Sequence, residues 1–192
     1  MAKRIIAFTG QCASGKGTAA AYFVKKHGAV VFRFSTMLRD ILDRLYLEHS
    51  RDNLQDLSTI LRGRFGQDLM AKVMAHDAER VKTSLVIVDG ARRPEDIEYL
   101  RRLNGFTLVA VSATPEIRFQ RMTRRGENPD DATKTWVEFM KEEHAESELL
   151  IPRLMNEADF TIDNNGDTAA LLKQLQDIYN KITAHDRKGT KT

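Results

Sequence analysis

The sequence predicts an α/β fold in three layers, with helices on both faces of a mostly parallel, five-stranded sheet. Strand-like runs at about 4–9, 29–34, 85–89, 106–112 and 159–163 alternate with longer stretches of helical periodicity, the order that builds βαβ units. The first run, Ile5-Ile6-Ala7-Phe8, leads into Gly10-Gln11-Cys12-Ala13-Ser14-Gly15-Lys16-Gly17-Thr18, a glycine-rich turn between strand and helix. Pro94 and Pro115 follow the third and fourth runs at positions where a first-turn proline is tolerated.

In chain order, the first helix starts near Lys16 and runs to His27, with Gly28 as its stop. Residues 35–82 hold about three helical segments around Leu38, Ile41, Leu42, Leu45, Leu54, Leu57, Ile60, Leu61, Leu69, Val73 and Met74. Pro94 and Pro115 open the helices after the third and fourth strands, and a charged arm spans about 118–150. Asp167 or Thr168 caps the last helix, whose Leu171, Leu172, Leu175, Ile178 and Ile182 keep helical spacing. One domain over 1–183 results, with a basic tail at 184–192 that is expected to be disordered. Ligands of open α/β sheets bind beyond the carboxyl ends of the strands, so the insertion and the arm are placed to close over a nucleotide from opposite sides.

Composition narrows the function. With 42% apolar and 30% charged residues in 192, the chain reads as an ordinary soluble protein with a proper core. No apolar run approaches the ~20 residues of a membrane span, and Met1-Ala2-Lys3-Arg4 runs straight into a strand without a signal-peptide core. A cytoplasmic protein without membrane partners is expected. The net charge of +3 and pI near 9.0 are a small excess, part of it in the tail, so no specific nucleic-acid binding is expected. The single cysteine, Cys12, excludes an intramolecular disulfide and a multi-cysteine zinc site, and reads as a small loop residue. Histidines 27, 49, 76, 144 and 185 lack paired metal-ligand spacing.

The chemistry centres on the loop. Gly10 and Gly15 let the backbone turn so that N–H groups across Ala13, Ser14, Gly15, Lys16, Gly17 and Thr18 face inward; with the helix N-terminus they form a polyphosphate socket, and Lys16 adds a full charge. Thr18 stands one place later than the hydroxyl of the strict pattern, an ending that resembles nucleoside monophosphate kinases, and the resemblance implies that Thr18 meets Mg²⁺ directly or through water. Leu85-Val86-Ile87-Val88-Asp89 ends in a carboxylate where the phosphates would lie, suited to Mg²⁺ or its waters; the alternative is a turn residue before Gly90. Arg118, Arg121 and Arg125 share a helix face with Arg124 beside them and few nearby acids, which makes Arg121 and Arg125, with Lys16, candidate catalytic charges for a phosphoryl-transfer transition state. Glu142-Glu143-His144-Ala145-Glu146-Ser147-Glu148 reads as a solvated helix face, and Trp136 as a packing residue.

Several segments resemble known kinases. The Gly15-Lys16-Gly17-Thr18 ending is similar to nucleoside monophosphate kinases, adenylate kinase among them. Ser35-Thr36-Met37-Leu38-Arg39 resembles a segment of adenylate kinase in which the arginine clamps the acceptor phosphate; the alternative is a Ser35 helix cap with a solvated Arg39. Gly90-Ala91-Arg92-Arg93-Pro94 resembles their Asp-Gly-x-Pro-Arg segment, implying that Arg92 or Arg93 reaches the acceptor phosphate. Gln120-Arg121 with Arg125, and the stretch Ala158 to Gly166, resemble dephospho-CoA kinases, which implies that backbone from Asn164 to Asp167 lines a base pocket. Leu54-Gln55-Asp56-Leu57 with Leu61-Arg62 and Phe65-Gly66-Gln67-Asp68 is similar to a helical segment of deoxynucleoside monophosphate kinases and of uncharacterised nucleotide kinases related to dephospho-CoA kinases. Together these imply a P-loop NTPase fold with strand order 2-3-1-4-5, a helical acceptor-binding insertion, an arginine-rich lid, and transfer from Mg·ATP to a nucleoside or deoxynucleoside monophosphate. The alternatives are a dephospho-CoA kinase, whose hydroxyl acceptor would want Asp40 or Asp89 as a base, and a kinase-like ATPase acting as a switch or assembly factor.

Overall fold

The computed structural model describes residues 3–126, 131–145 and 148–184. Strands β1 (Arg4–Thr9), β2 (Val30–Arg33), β3 (Leu85–Ala91), β4 (Phe106–Ser112) and β5 (Phe160–Asp163) form one parallel sheet in the order β2-β3-β1-β4-β5. The central strands are almost wholly apolar because helices cover both of their faces. Alternation along β1 divides the core. Ile6 and Phe8 face α1 (Lys16–His27) and α9 (Thr168–Ala184), where Phe23, Leu171, Leu175, Ile178 and Ile182 are buried. Ile5 and Ala7 face the other layer, built from α2 (Phe34–Arg44), α3 (Arg51–Phe65), α4 (Leu69–Arg80), the short α5 (Pro94–Ile97) and α8 (Ile151–Asn156). The remaining helices, α6 (Pro115–Arg125) and α7 (Trp136–Glu142), belong to the arm after β4.

Gly28 ends α1 at φ 64°, and Asp167 caps α9 by accepting a hydrogen bond from Ala170 N at 2.8 Å. Three expectations are corrected. The second strand stops at Arg33, because Phe34 already starts α2 and packs in the core; Ser35 lies inside the helix and does not cap it. β3 continues past Asp89 to Ala91. Its register against β1 shifts between Phe8 and Thr9, which leaves Gly90 (φ 90°) as the extra residue, and Thr9 Oγ1 donates to Ala91 O at 3.0 Å. In the insertion Leu38 and Leu42 are buried, but Leu45, Ile60 and Val73 face solvent. The proposed tail is outside the described residues from 185 onward, while Ala184 closes α9. Among the described residues no helix is long and apolar enough to cross a membrane.

The end of α1 carries a testable acid sensitivity. His27 is packed among Tyr22, Phe23 and Tyr179, with ring centroids at 5.9, 5.7 and 4.0 Å, and its Nε2 is buried without a partner among the described residues. Burial, then the charge of Lys26, lowers its pKa below the ordinary 6.5. The folded value lies below the unfolded one, so the stabilisation is complete above pH 6.5 and is lost as pH falls through the lowered value. Urea unfolding at pH 7 and pH 5 should show the wild type losing stability that His27→Phe retains; parallel losses in the two proteins would remove His27 as the cause.

Candidate functional site

The loop after β1 takes the shape its glycines permit. Gly10 and Gly15 sit at φ 143° and 110°, and Ala13 at 57°. A Cβ at Gly10 would lie 2.2 Å from Val111 O, and one at Gly15 2.1 Å from Asn164 Nδ2, so neither position has room for a side chain. Asn164, 4% exposed just after β5, donates through Nδ2 to Ser14 O at 2.7 Å and fixes the loop from the edge of the sheet beyond β4. The α1 N-terminus has no side-chain cap and no acid in its first turn, which leaves its N–H groups and dipole for an anion.

Lys16 folds across this socket, donating to Gly10 O at 2.6 Å and Gln11 O at 2.8 Å. Its pKa is lowered from 10.5 chiefly by burial; the Asp89 carboxylate draws it back up and Arg92 pushes it down. Asp89 stands opposite Phe8 on β1 and Arg33 on β2, and its Oδ2 is 3.2 Å from Arg33 Nε. Its Oδ1 and the Oγ of fully buried Ser14 have no hydrogen-bond partner among the described residues. Thr18 is exposed on the first turn of α1. Hard oxygen atoms left unpaired beside a phosphate socket are the donor set that Mg²⁺ takes, so Asp89 and Ser14 fit that ion.

On the insertion side, Arg39 lies half-buried on α2. The backbone N–H groups of Arg92 and Arg93 both donate to Asp96 Oδ2, at 2.9 and 3.1 Å. Asp96 Oδ1 in turn accepts from Arg62 Nη2 at 2.8 Å, and Arg62 Nη1 donates to Gln67 O at 2.6 Å. This buried pair ties the α3–α4 turn to the segment carrying Arg92 and Arg93. Sequence reading quoted Arg62 only within a resemblance and missed Asp96 and Arg33; the partners of all three lie far away along the chain.

The arm departs most from expectation. Arg118 is not part of an open cationic face: it is 1% exposed, holds both Glu143 carboxylate oxygens at 2.8 and 2.5 Å, and donates through Nε to Ala113 O at 3.0 Å. Its Nη1 also lies 3.5 Å from Cys12 O, and its guanidinium stacks on Phe139 at 5.4 Å. The acidic segment is likewise not a solvated face, since Glu142 pairs with Lys134 at 2.6 Å, Glu143 with Arg118, and Glu148 with Arg92 at 2.9 Å. Glu146 and Ser147 lie outside the described residues. Arg125 approaches buried Asp131 at 4.0 Å, so acids do offset the arm's charge. Arg121 turns toward the β5–α9 loop, donating to Gly166 O at 3.4 Å, and its Nη1 is buried without a partner among the described residues. Trp136 packs against Phe119 and Phe139 with centroids at 5.4 and 5.6 Å, the packing role expected of it.

A family model described as AAA domain matches residues 6–150. A UPF0200 protein of Hyperthermus butylicus is 30% identical over 179 residues, covering 93% of this chain and 95% of the relative. A second, from Sulfurisphaera tokodaii, is 29% identical over 181 residues, covering 93% of this chain and 97% of the relative. Among solved structures, shikimate kinase from Bacteroides thetaiotaomicron superposes with a TM-score of 0.65 at 17% identity, covering 93% of this chain and 98% of that one, a likeness of fold.

Proposed function

Because the chain belongs to the AAA-domain family and is one of the UPF0200 proteins, we propose that it is a phosphotransferase moving the γ-phosphoryl of ATP to a nucleoside or deoxynucleoside monophosphate. The observation that carries this reading is the uncapped α1 N-terminus with Lys16 folded into it, facing the unpaired oxygens of Asp89 and Ser14. The kinase-like fold supports nucleotide-dependent phosphotransfer. In the proposed complex Lys16 leaves its two carbonyls for the outer phosphates, and the loop N–H groups hold the remaining oxygens. Asp89, Ser14 and Thr18 would hold Mg²⁺, which would supply charge neutralisation at the phosphates. Arg121 and Arg125 face the transferred group from the arm, while Arg39, Arg92 and Arg93 take the acceptor phosphate from the insertion side. An acceptor that is itself an anion attacks without a general base.

A coupled assay of ADP release over nucleoside monophosphates, deoxynucleoside monophosphates and dephospho-CoA tests the reading. Stimulation by a monophosphate is expected; stimulation by dephospho-CoA alone would move the acceptor to a hydroxyl, and ADP release unaffected by any acceptor would overturn the kinase reading. Arg39→Ala should raise KM for the acceptor about ten- to a hundredfold, the loss of a charge-assisted contact worth roughly 1.5–3 kcal/mol, and leave ATP binding alone. Equal weakening of both substrates would refute a two-sided site.

A further inference from the structure

Two carboxylates near the loop share one arrangement. Asp89 rests Oδ2 on Arg33 and Glu148 rests Oε1 on Arg92, and the side chains of both acids are 11% exposed. In each, the second oxygen, Oδ1 of Asp89 and Oε2 of Glu148, is buried and has no hydrogen-bond partner among the described residues. They come from different elements, Asp89 from β3 and Glu148 from the turn ahead of α8. Asp89 stands opposite Phe8 and Ala91 opposite Thr9, just ahead of the loop, and Glu148 is held by Arg92, the residue after Ala91, so both acids border the same socket. The neighbouring cations do not satisfy these oxygens: Arg33 and Arg92 hold the opposite oxygen of each acid, and Lys16 points at Gly10 O and Gln11 O. A buried carboxylate oxygen without a donor is costly, and two around one phosphate socket are a donor set for a hard cation.

We propose that Glu148 is the second carboxylate of the divalent-cation site, ligating Mg²⁺ through Oε2 while Asp89 ligates it through Oδ1. The inference rests on the reading that the loop binds a nucleotide. Two carboxylates leave most of the octahedral positions of Mg²⁺ to other oxygens, so in this reading nucleotide phosphates complete the site and the ion binds most tightly when nucleotide is present. Glu148 keeps Arg92 on its other oxygen, so the cation also fixes an arginine assigned to the acceptor. Glu148 thereby links the nucleotide and acceptor sides through a single side chain.

The test uses the full chain, Mn²⁺ as the probe and ADP as the nucleotide, with free Mn²⁺ followed by electron paramagnetic resonance. Wild type should bind Mn²⁺ more tightly with ADP than without. Glu148→Gln should raise the Mn²⁺ Kd of the ADP complex about tenfold or more, as should Asp89→Asn, and both should bind ADP in EDTA like the wild type. Should Glu148→Gln fail to fold, Glu148→Asp keeps the charge, shortens its reach and should raise the Kd as well. A wild-type Mn²⁺ Kd in the folded Glu148 variant, beside a weakened Asp89→Asn, overturns the inference and leaves the nucleotide reading standing. A wild type that fails to bind ADP in EDTA overturns both.

Discussion

Lys16→Ala should lower kcat about a hundredfold or more while the protein stays folded, because a point charge at the outer phosphates acts mainly on the charge developing in the transition state. Steady-state kinetics with circular dichroism as the folding control decides it; near-normal turnover in a folded variant would refute the role. The two carbonyl contacts of Lys16 are weak competitors for a polyphosphate, so they do not oppose binding. A pH dependence follows from its surroundings. Its folded pKa lies below the ordinary 10.5 because of burial, so the buried charge costs the protein stability at neutral pH, a cost relieved as pH rises through the lowered value. Lys16→Ala should therefore be no less stable than the wild type at pH 7. Bound phosphates favour the charged amine, so nucleotide affinity should fall as pH rises through that lowered value, and the fall should be absent in Lys16→Ala. An identical pH dependence of binding in both proteins would remove Lys16 from the phosphate contact.

Arg118→Leu should be the most destabilising of the arginine substitutions. It leaves the Glu143 carboxylate without the guanidinium that holds both its oxygens, and it removes the donor to Ala113 O. Breaking a buried pair from one side costs about 3–5 kcal/mol, which for a chain of this size lowers Tm by roughly 10 °C. Removing both charges together, Arg118→Leu with Glu143→Leu, should recover part of that loss, since the stranded carboxylate is gone. Calorimetry of the two single variants and the double variant measures the coupling. A Tm change in Arg118→Leu as small as that of Arg124→Ala, which alters an exposed neighbour, would return Arg118 to the open face the spacing suggests. Below its Tm, Arg118→Leu should still bind nucleotide through the loop, the difference between a supporting residue and a phosphate ligand.

The phosphate loop was legible because its chemistry is local. Positive φ at Gly10 and Gly15, the strand before them and the helix after them all act within a few residues, and a linear pattern records such demands directly. The strands were legible for a similar reason, since burial on both faces leaves continuous apolar runs such as Leu85 to Val88. Their order came from resemblance to kinases, and the tertiary structure displays it as β2-β3-β1-β4-β5.

Partnership between charges was decided only in three dimensions. Helical spacing correctly put Arg118 on α6 with Arg121 and Arg125, but spacing cannot say that Phe139 and Glu143 of the next helical segment fold over Arg118 while Arg121 turns toward Gly166. The same holds for Arg33 with Asp89, Arg62 with Asp96, Arg92 with Glu148 and Asn164 with the Ser14 carbonyl. A charged side chain is stable in the interior only if a complementary group arrives from elsewhere in the chain, and that arrival is a property of packing. The sequence by itself therefore determined the socket and the sheet that presents it, while the tertiary structure decided which charges pair within the fold and with which partners, because burial converts an exposed charge into one that must be paired.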